Sequence, residues 1–185
     1  MRRGLIAALL VGAWAMCGAT GLAEDKKGDG KKAKIALRDD CDAADPAWTP
    51  LGGCTSVDGA VTVDEFNSPL FSPLSAPSII GHPAWRMDPT YFRSETGGTL
   101  RVTNLGGRTH TFTEVVNFGG GFIPPLNGTL LPAPECTSGP AMLTPGASVE
   151  VTGLSNGNHT FQCCIHPWMR ILVKVEVEEA KDEDD

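Results

Sequence analysis

An all-β sandwich of seven or eight short strands is the fold the sequence predicts, on three observations. First, 22 glycines and 14 prolines make up nearly a fifth of the 185 residues while aromatic residues are only 6%, a composition of many turns joining short elements. Second, short runs alternate apolar and polar side chains between Gly-Gly and Asn-Gly turns, the period-two pattern of half-buried strands. Third, no window sustains a helical period, and only 62–68 suits a single helical turn.

In chain order, residues 1–23 carry a basic head at Arg2 and Arg3, an apolar run over 5–16 and a small-residue end at Gly21-Leu22-Ala23. This is the pattern of an export leader cleaved near Ala23. Its apolar run of about 12 residues falls short of the ~20 that a membrane helix needs, so no permanent membrane span is expected. Cys17 follows Met16, a poor fit to a lipidated cysteine. Residues 24–78 read as a charged linker followed by a turn-rich extension: 24–34 hold five lysines and look like a solvated tail, and prolines follow at 46, 50, 69, 73 and 77. Strands are expected around 79–80, 85–87, 91–93, 99–104, 111–117, 148–152, 159–163 and 169–177, with a Gly/Pro-rich segment over 119–146. In the last strand Ile171, Val173, Val175 and Val177 alternate with Leu172, Lys174 and Glu176, as expected when one face packs and the other is mostly wet. Residues 178–185 form an acidic tail, with seven acids and one lysine over 176–185.

The formal charge of −7 becomes −9 once a leader carrying Arg2 and Arg3 is removed. No basic surface is left to displace phosphate counterions, which argues against nucleic acid as a partner. The mature chain keeps five cysteines, Cys41, Cys54, Cys136, Cys163 and Cys164. An oxidising compartment pairs cysteines and five is odd, so one sulfur is simply buried, pairs between chains or binds a metal.

Cys163, His166 and Met169 are spaced three apart just before the final strand. One tight loop can therefore turn a thiolate, an imidazole and a thioether toward a common point, a donor set suited to mononuclear copper with a weak, long thioether bond. A second imidazole is available from His110, which follows a Gly-Gly turn and precedes a strand. Each residue also has a plainer reading. Cys163 could be a disulfide partner or an inert core thiol and Met169 a core filler, while His82 and His159 compete with His110.

These residues resemble the cupredoxins, the small blue-copper proteins, and particularly the plastocyanin and amicyanin branch. The C-x2-H-x2-M loop at Cys163, His166 and Met169 is similar to that of amicyanin, and His110 matches the family's first histidine. The resemblance covers about 79–177, while 35–78 have no clear counterpart in the minimal domain. It implies a Greek-key sandwich holding one copper ion on His110, Cys163, His166 and Met169, with Asn104 bracing the loops. It also implies that Cys41 pairs with Cys54, stapling the extension, and Cys136 with Cys164. The expected function is one-electron transfer between exported redox proteins, such as a c-type cytochrome or a redox enzyme, in the periplasm or outside the cell. Electrons would pass through a solvent-facing edge of His166, rimmed by Pro167, Trp168 and residues 120–124.

A monomer is expected, and an enzyme is not, because Met169 takes the position an open site would leave for substrate. The alternatives are a copper-holding or delivery protein, a zinc site of one cysteine and three histidines, and a metal-free, disulfide-stapled sandwich that binds protein. A calcium loop over 54–66 would place Gly59 and Glu65 suitably, but Cys54 and Ser56 stand where it needs carboxylates, which favours a stapled turn.

Overall fold

The computed structural model describes residues 32–56, 58–71 and 81–177. The expected leader over 1–23, the strand expected at 79–80 and the acidic tail over 178–185 lie outside these residues. Two four-stranded sheets dominate. One is formed by β1 (Lys32–Arg38), β2 (Arg86–Asp88), β4 (Thr99–Asn104) and β8 (Ser148–Val151), in the order β2-β1-β4-β8. The other is formed by β3 (Tyr91–Glu95), β6 (Thr113–Val115), β9 (Gly157–Gln162) and β10 (Arg170–Glu176), in the order β3-β10-β9-β6. A two-stranded ribbon pairs β5 (His110–Thr111) with β7 (Met142–Leu143).

The sheets meet through their apolar faces. Ile35, Leu37, Leu100 and Val102 of the first sheet share one buried cluster with Phe161, Ile171, Val173 and Val175 of the second. The expected all-β sandwich is thus the observed fold, its two sheets holding eight strands between which the chain crosses repeatedly. The expected strand over 111–117 is broken at Phe112 into β5 and β6.

The segment read as a solvated tail and turn-rich extension differs most from expectation. Lys32–Arg38 is a strand inside a sheet, parallel to β4 with Ile35 opposite Val102, and antiparallel to β2. Its alternation is present in the sequence, since Ala33, Ile35 and Leu37 point inward while Lys32 and Lys34 are exposed. The lysines mask it because their charge resembles that of the linker before them.

The single helical turn expected over 62–68 extends to a helix, α1 (Val63–Leu70). Thr62 accepts from the Glu65 amide while the Glu65 carboxylate accepts from the Thr62 amide, the reciprocal capping box of a T-x-x-E sequence. Phe66 and Leu70, one turn apart, are buried against the sandwich. A 3-10 helix at Pro46–Leu51, capped by Asp45, buries Trp48. Trp48, Phe66 and Leu70 belong to the core cluster that the two sheets share, and the Cys41–Cys54 disulfide staples the same segment, so the described residues 32–56 and 58–71 pack as a layer of the molecule. Among the described residues, no helix is long and apolar enough to cross a membrane.

The second disulfide joins Cys136 of α2 (Pro134–Thr137) to Cys164, within a satellite cluster of Val115, Ala133 and Phe122. The two cysteines are 28 residues apart. Replacing both by alanine is expected to cost about 3–4 kcal/mol through restored loop entropy in the unfolded chain. Urea unfolding under non-reducing conditions measures this; a loss below about 1 kcal/mol would show that the bridge constrains little.

Candidate metal centre

Strands β9 and β10 pair with Gln162 opposite Arg170 and Phe161 opposite Ile171, so residues 163–169 must reverse the chain between them. The turn closes on itself: the Cys163 amide donates to the Met169 carbonyl at 3.0 Å, and the Met169 amide to the His166 carbonyl at 2.9 Å. Because neighbouring side chains leave an extended chain on opposite sides, Cys164 reaches Cys136 while Cys163 faces the other way as a free, fully buried thiol.

Strand β5 brings His110 to that thiol and is fastened to the loop at two points. The Thr111 amide donates to Cys163 Sγ at 3.4 Å, and the Cys164 amide donates to Thr111 Oγ1 at 2.7 Å. Upstream, Asn104 is fully buried. Its Nδ2 donates to the carbonyls of Arg108 and Leu143 at 2.7 and 2.8 Å, and its Oδ1 accepts from the Gly106 amide at 2.9 Å. Asn104 therefore braces the turn that delivers His110 and its neighbour β7.

The structure brings together three of the four expected donors by direct contact. Cys163 Sγ lies 3.8 Å from Nδ1 of His110 and 3.8 Å from Nδ1 of His166, and ligand atoms of the three residues lie within 4.8 Å of one another. Metal–nitrogen bonds of about 2.0–2.1 Å and a metal–sulfur bond of about 2.3 Å at trigonal angles would separate sulfur and nitrogen by about 3.8 Å. The donor set therefore fits a trigonal ion. Met169, fully buried in the adjoining core, closes the same loop. The rival histidines lie elsewhere. His159 Nδ1 contacts Glu114 at 2.6 Å, and half-buried His82 accepts from the Ala84 amide at Nδ1.

Asp39 was not singled out by the sequence. It sits just past β1 at the next inward position of the Ala33-Ile35-Leu37 alternation, and that register is the signal that could have found it. Its carboxylate and the His110 ring are both fully buried, 2.7 Å apart at His110 Nε2. The same carboxylate accepts from the amides of Gly107 at 3.1 Å and Arg108 at 3.0 Å.

The electrostatics follow from this packing. Burial raises the Asp39 carboxyl, but His110 and the two amides outweigh it and hold it below the usual range. Burial likewise raises the Cys163 thiol, and the two imidazoles bring it well below a usual thiol. Burial lowers His110, yet hydrogen bonds to Asp39 and Cys163 carry it up to about 9. His166 is lowered, chiefly by burial. Two anions around one imidazole create a site whose potential attracts a cation.

One expectation needs correction. His166 is only 3% exposed, so its edge does not face solvent. Phe66 of α1, Trp85 and Trp168 surround it at ring-centroid distances of 6.2, 6.3 and 5.6 Å. The expected rim over 120–124 lies in part against Cys164, whose carbonyl accepts from the Phe122 amide. Of these three rings, Phe66 comes from the extension, which a minimal sandwich lacks.

No family model matches the chain, and no curated protein matches it. The chain is similar to solved cupredoxin structures. One is a purple cupredoxin from Nitrosopumilus maritimus, with 15% identity over 78% of this chain and 99% of that one and a TM-score of 0.41. Another is a mutant of amicyanin in its Cu(I) form, with 20% identity over 49% of this chain and 73% of that one and a TM-score of 0.35. A reduced amicyanin mutant has 22% identity over 47% and 70%, with a TM-score of 0.33.

Proposed function

We propose that this protein holds one copper ion on His110, Cys163, His166 and Met169 and carries single electrons between exported redox proteins. The observation that carries this reading is a free, buried thiol, distinct from both disulfides, with an imidazole nitrogen 3.8 Å away on each of two sides. Copper, when bound, supplies the Cu(II)/Cu(I) couple. His110 and His166 would hold the ion through ring nitrogens, His110 giving up a proton as the ion enters, with Cys163 as a thiolate and Met169 as a thioether, a soft donor for which zinc has no special use. The hydrogen bonds from Thr111 and within the 163–169 turn hold these groups in place, so little need move when the charge changes. The layer of Phe66, Trp85 and Trp168 keeps water from His166. A leader cleaved near Ala23 would place the chain in the periplasm or outside the cell, with a c-type cytochrome or a redox enzyme as partner.

The test is to add one equivalent of Cu(II) to the mature protein and record visible absorption and electron paramagnetic resonance. An intense thiolate-to-copper band with small copper hyperfine splitting is the expected result. A colourless complex with an ordinary Cu(II) spectrum in folded protein would sink this reading and move weight to zinc or to a metal-free domain. A second reading, copper retention or delivery without rapid electron exchange, is favoured by the burial of His166. Slow self-exchange of the loaded protein, with copper passing to an apo acceptor, would select it.

A further inference from the structure

We infer that Asp39 is a positioning residue for the metal centre: its buried carboxylate orients His110 and places a fixed negative charge beside the site. The inference rests on the copper reading for its electronic part and on geometry alone for its orienting part. An ionised carboxylate only accepts hydrogen bonds. The 2.7 Å contact to His110 Nε2 therefore makes that nitrogen the N–H donor and leaves Nδ1, which faces Cys163 Sγ, as the atom available to a metal. Carboxylates set the tautomer and basicity of metal-binding histidines in this way.

The surroundings are built to hold this carboxylate. The Gly107 amide donates to its Oδ1, and the Arg108 amide to Oδ2, the oxygen that also meets His110. A Cβ at Gly106 would run into the carboxylate, and one at Gly107 would press on Cys41 Sγ. Cys41, two residues beyond Asp39, is tied to Cys54. The nearby cation does not neutralise the carboxylate by contact. Arg108 turns its guanidinium to the Gly53 and Leu51 carbonyls at 2.5 and 2.6 Å and lies 4.6 Å from the Trp48 ring centroid.

The charge count then has a direction. With the Cys163 thiolate and Asp39 carboxylate, a doubly charged ion gives a neutral centre and a singly charged ion leaves one net negative charge. In a buried site the second state is the costlier, so Asp39 favours the oxidised form. Asp39→Asn keeps the shape and removes the charge. It is expected to shift the Cu(II)/Cu(I) equilibrium at least tenfold toward Cu(I), a rise in potential of about 59 mV for one electron, and to weaken Cu(II) binding about 10- to 100-fold.

The experiment has two arms on the full mature chain. One is the reduction potential of wild type and Asp39→Asn loaded with copper. The other is proton NMR of the metal-free proteins, in which wild type is expected to show a downfield, slowly exchanging Nε2–H of His110 that Asp39→Asn loses or shifts. An unchanged potential together with an unchanged His110 resonance would overturn the inference. If wild type forms no thiolate–copper band, the copper reading fails by itself and the NMR arm still decides whether Asp39 holds His110. Should Asp39→Asn not fold, Gly106→Ala keeps the charge but crowds the carboxylate. An unmoved His110 resonance in that folded variant would equally count against the assignment.

Discussion

Cys163→Ser is expected to abolish the visible thiolate–copper band and to weaken Cu(II) binding more than about 100-fold, since even loss of a partner behind a ligand costs 10- to 100-fold. A serine hydroxyl does not ionise in the range where the Cys163 thiol, held down by two imidazoles, already has. The fold should survive, because the new oxygen would meet the Thr111 amide that now donates to sulfur. Ordinary Cu(II) bound by the two remaining imidazoles would have a weak visible spectrum and wide hyperfine splitting. Retention of the strong band would mean that another sulfur is the ligand. Its absence in a variant that still unfolds cooperatively assigns the band to this thiol.

The largest expected stability effect is at Trp85. Trp85→Ala should cost about 3–5 kcal/mol, the range for removing a large aromatic ring from a core that relaxes only in part. Trp85 is 1% exposed, with ring-centroid distances of 4.6 Å to Phe66, 5.1 Å to His82 and 5.8 Å to Trp48. It thus joins α1 and the 3-10 helix to the start of β2. Urea unfolding of the metal-free protein gives the clean measurement, because bound metal would add its own stabilisation. A cost below about 1.5 kcal/mol would mean that the extension closes over the gap. The loaded variant should also admit water beside His166, seen as faster loss of copper to a chelator.

The parts of the site that were legible in the sequence are those close along the chain. Cys163, His166 and Met169 share one turn, and the parity of the cysteines marks one sulfur as unlike the rest. His110 is 53 residues from Cys163, yet its place before a strand and after a Gly-Gly turn carried information. Asp39 is 71 residues from His110, and the alternation of Ala33, Ile35 and Leu37 marks it as inward-facing without saying what it meets. Only the parallel pairing of β1 with β4 puts it beside His110, and parallel partners far apart in sequence leave no turn signature. The full length of helix α1 is hidden for another reason: Pro69 breaks a helical pattern, and eight residues show barely two turns of period. The burial of His166 is not legible for the same reason: part of its cover, Phe66, belongs to that helix, and Trp85 lies 81 residues upstream.

Cys163 and Cys164 adjoin in the chain and have opposite fates, one free and one cross-linked. This makes maturation a problem of timing. On an unfolded chain under oxidising conditions an incoming disulfide catalyst meets two equivalent neighbouring thiols, and pairing Cys136 with the wrong one would consume the sulfur that faces His110 and His166. The folded strand end separates them by direction, and burial then removes Cys163 from reach. Correct pairing therefore requires the 157–176 hairpin to form before, or together with, closure of the Cys136 bridge, so that shape decides which sulfur the oxidant receives.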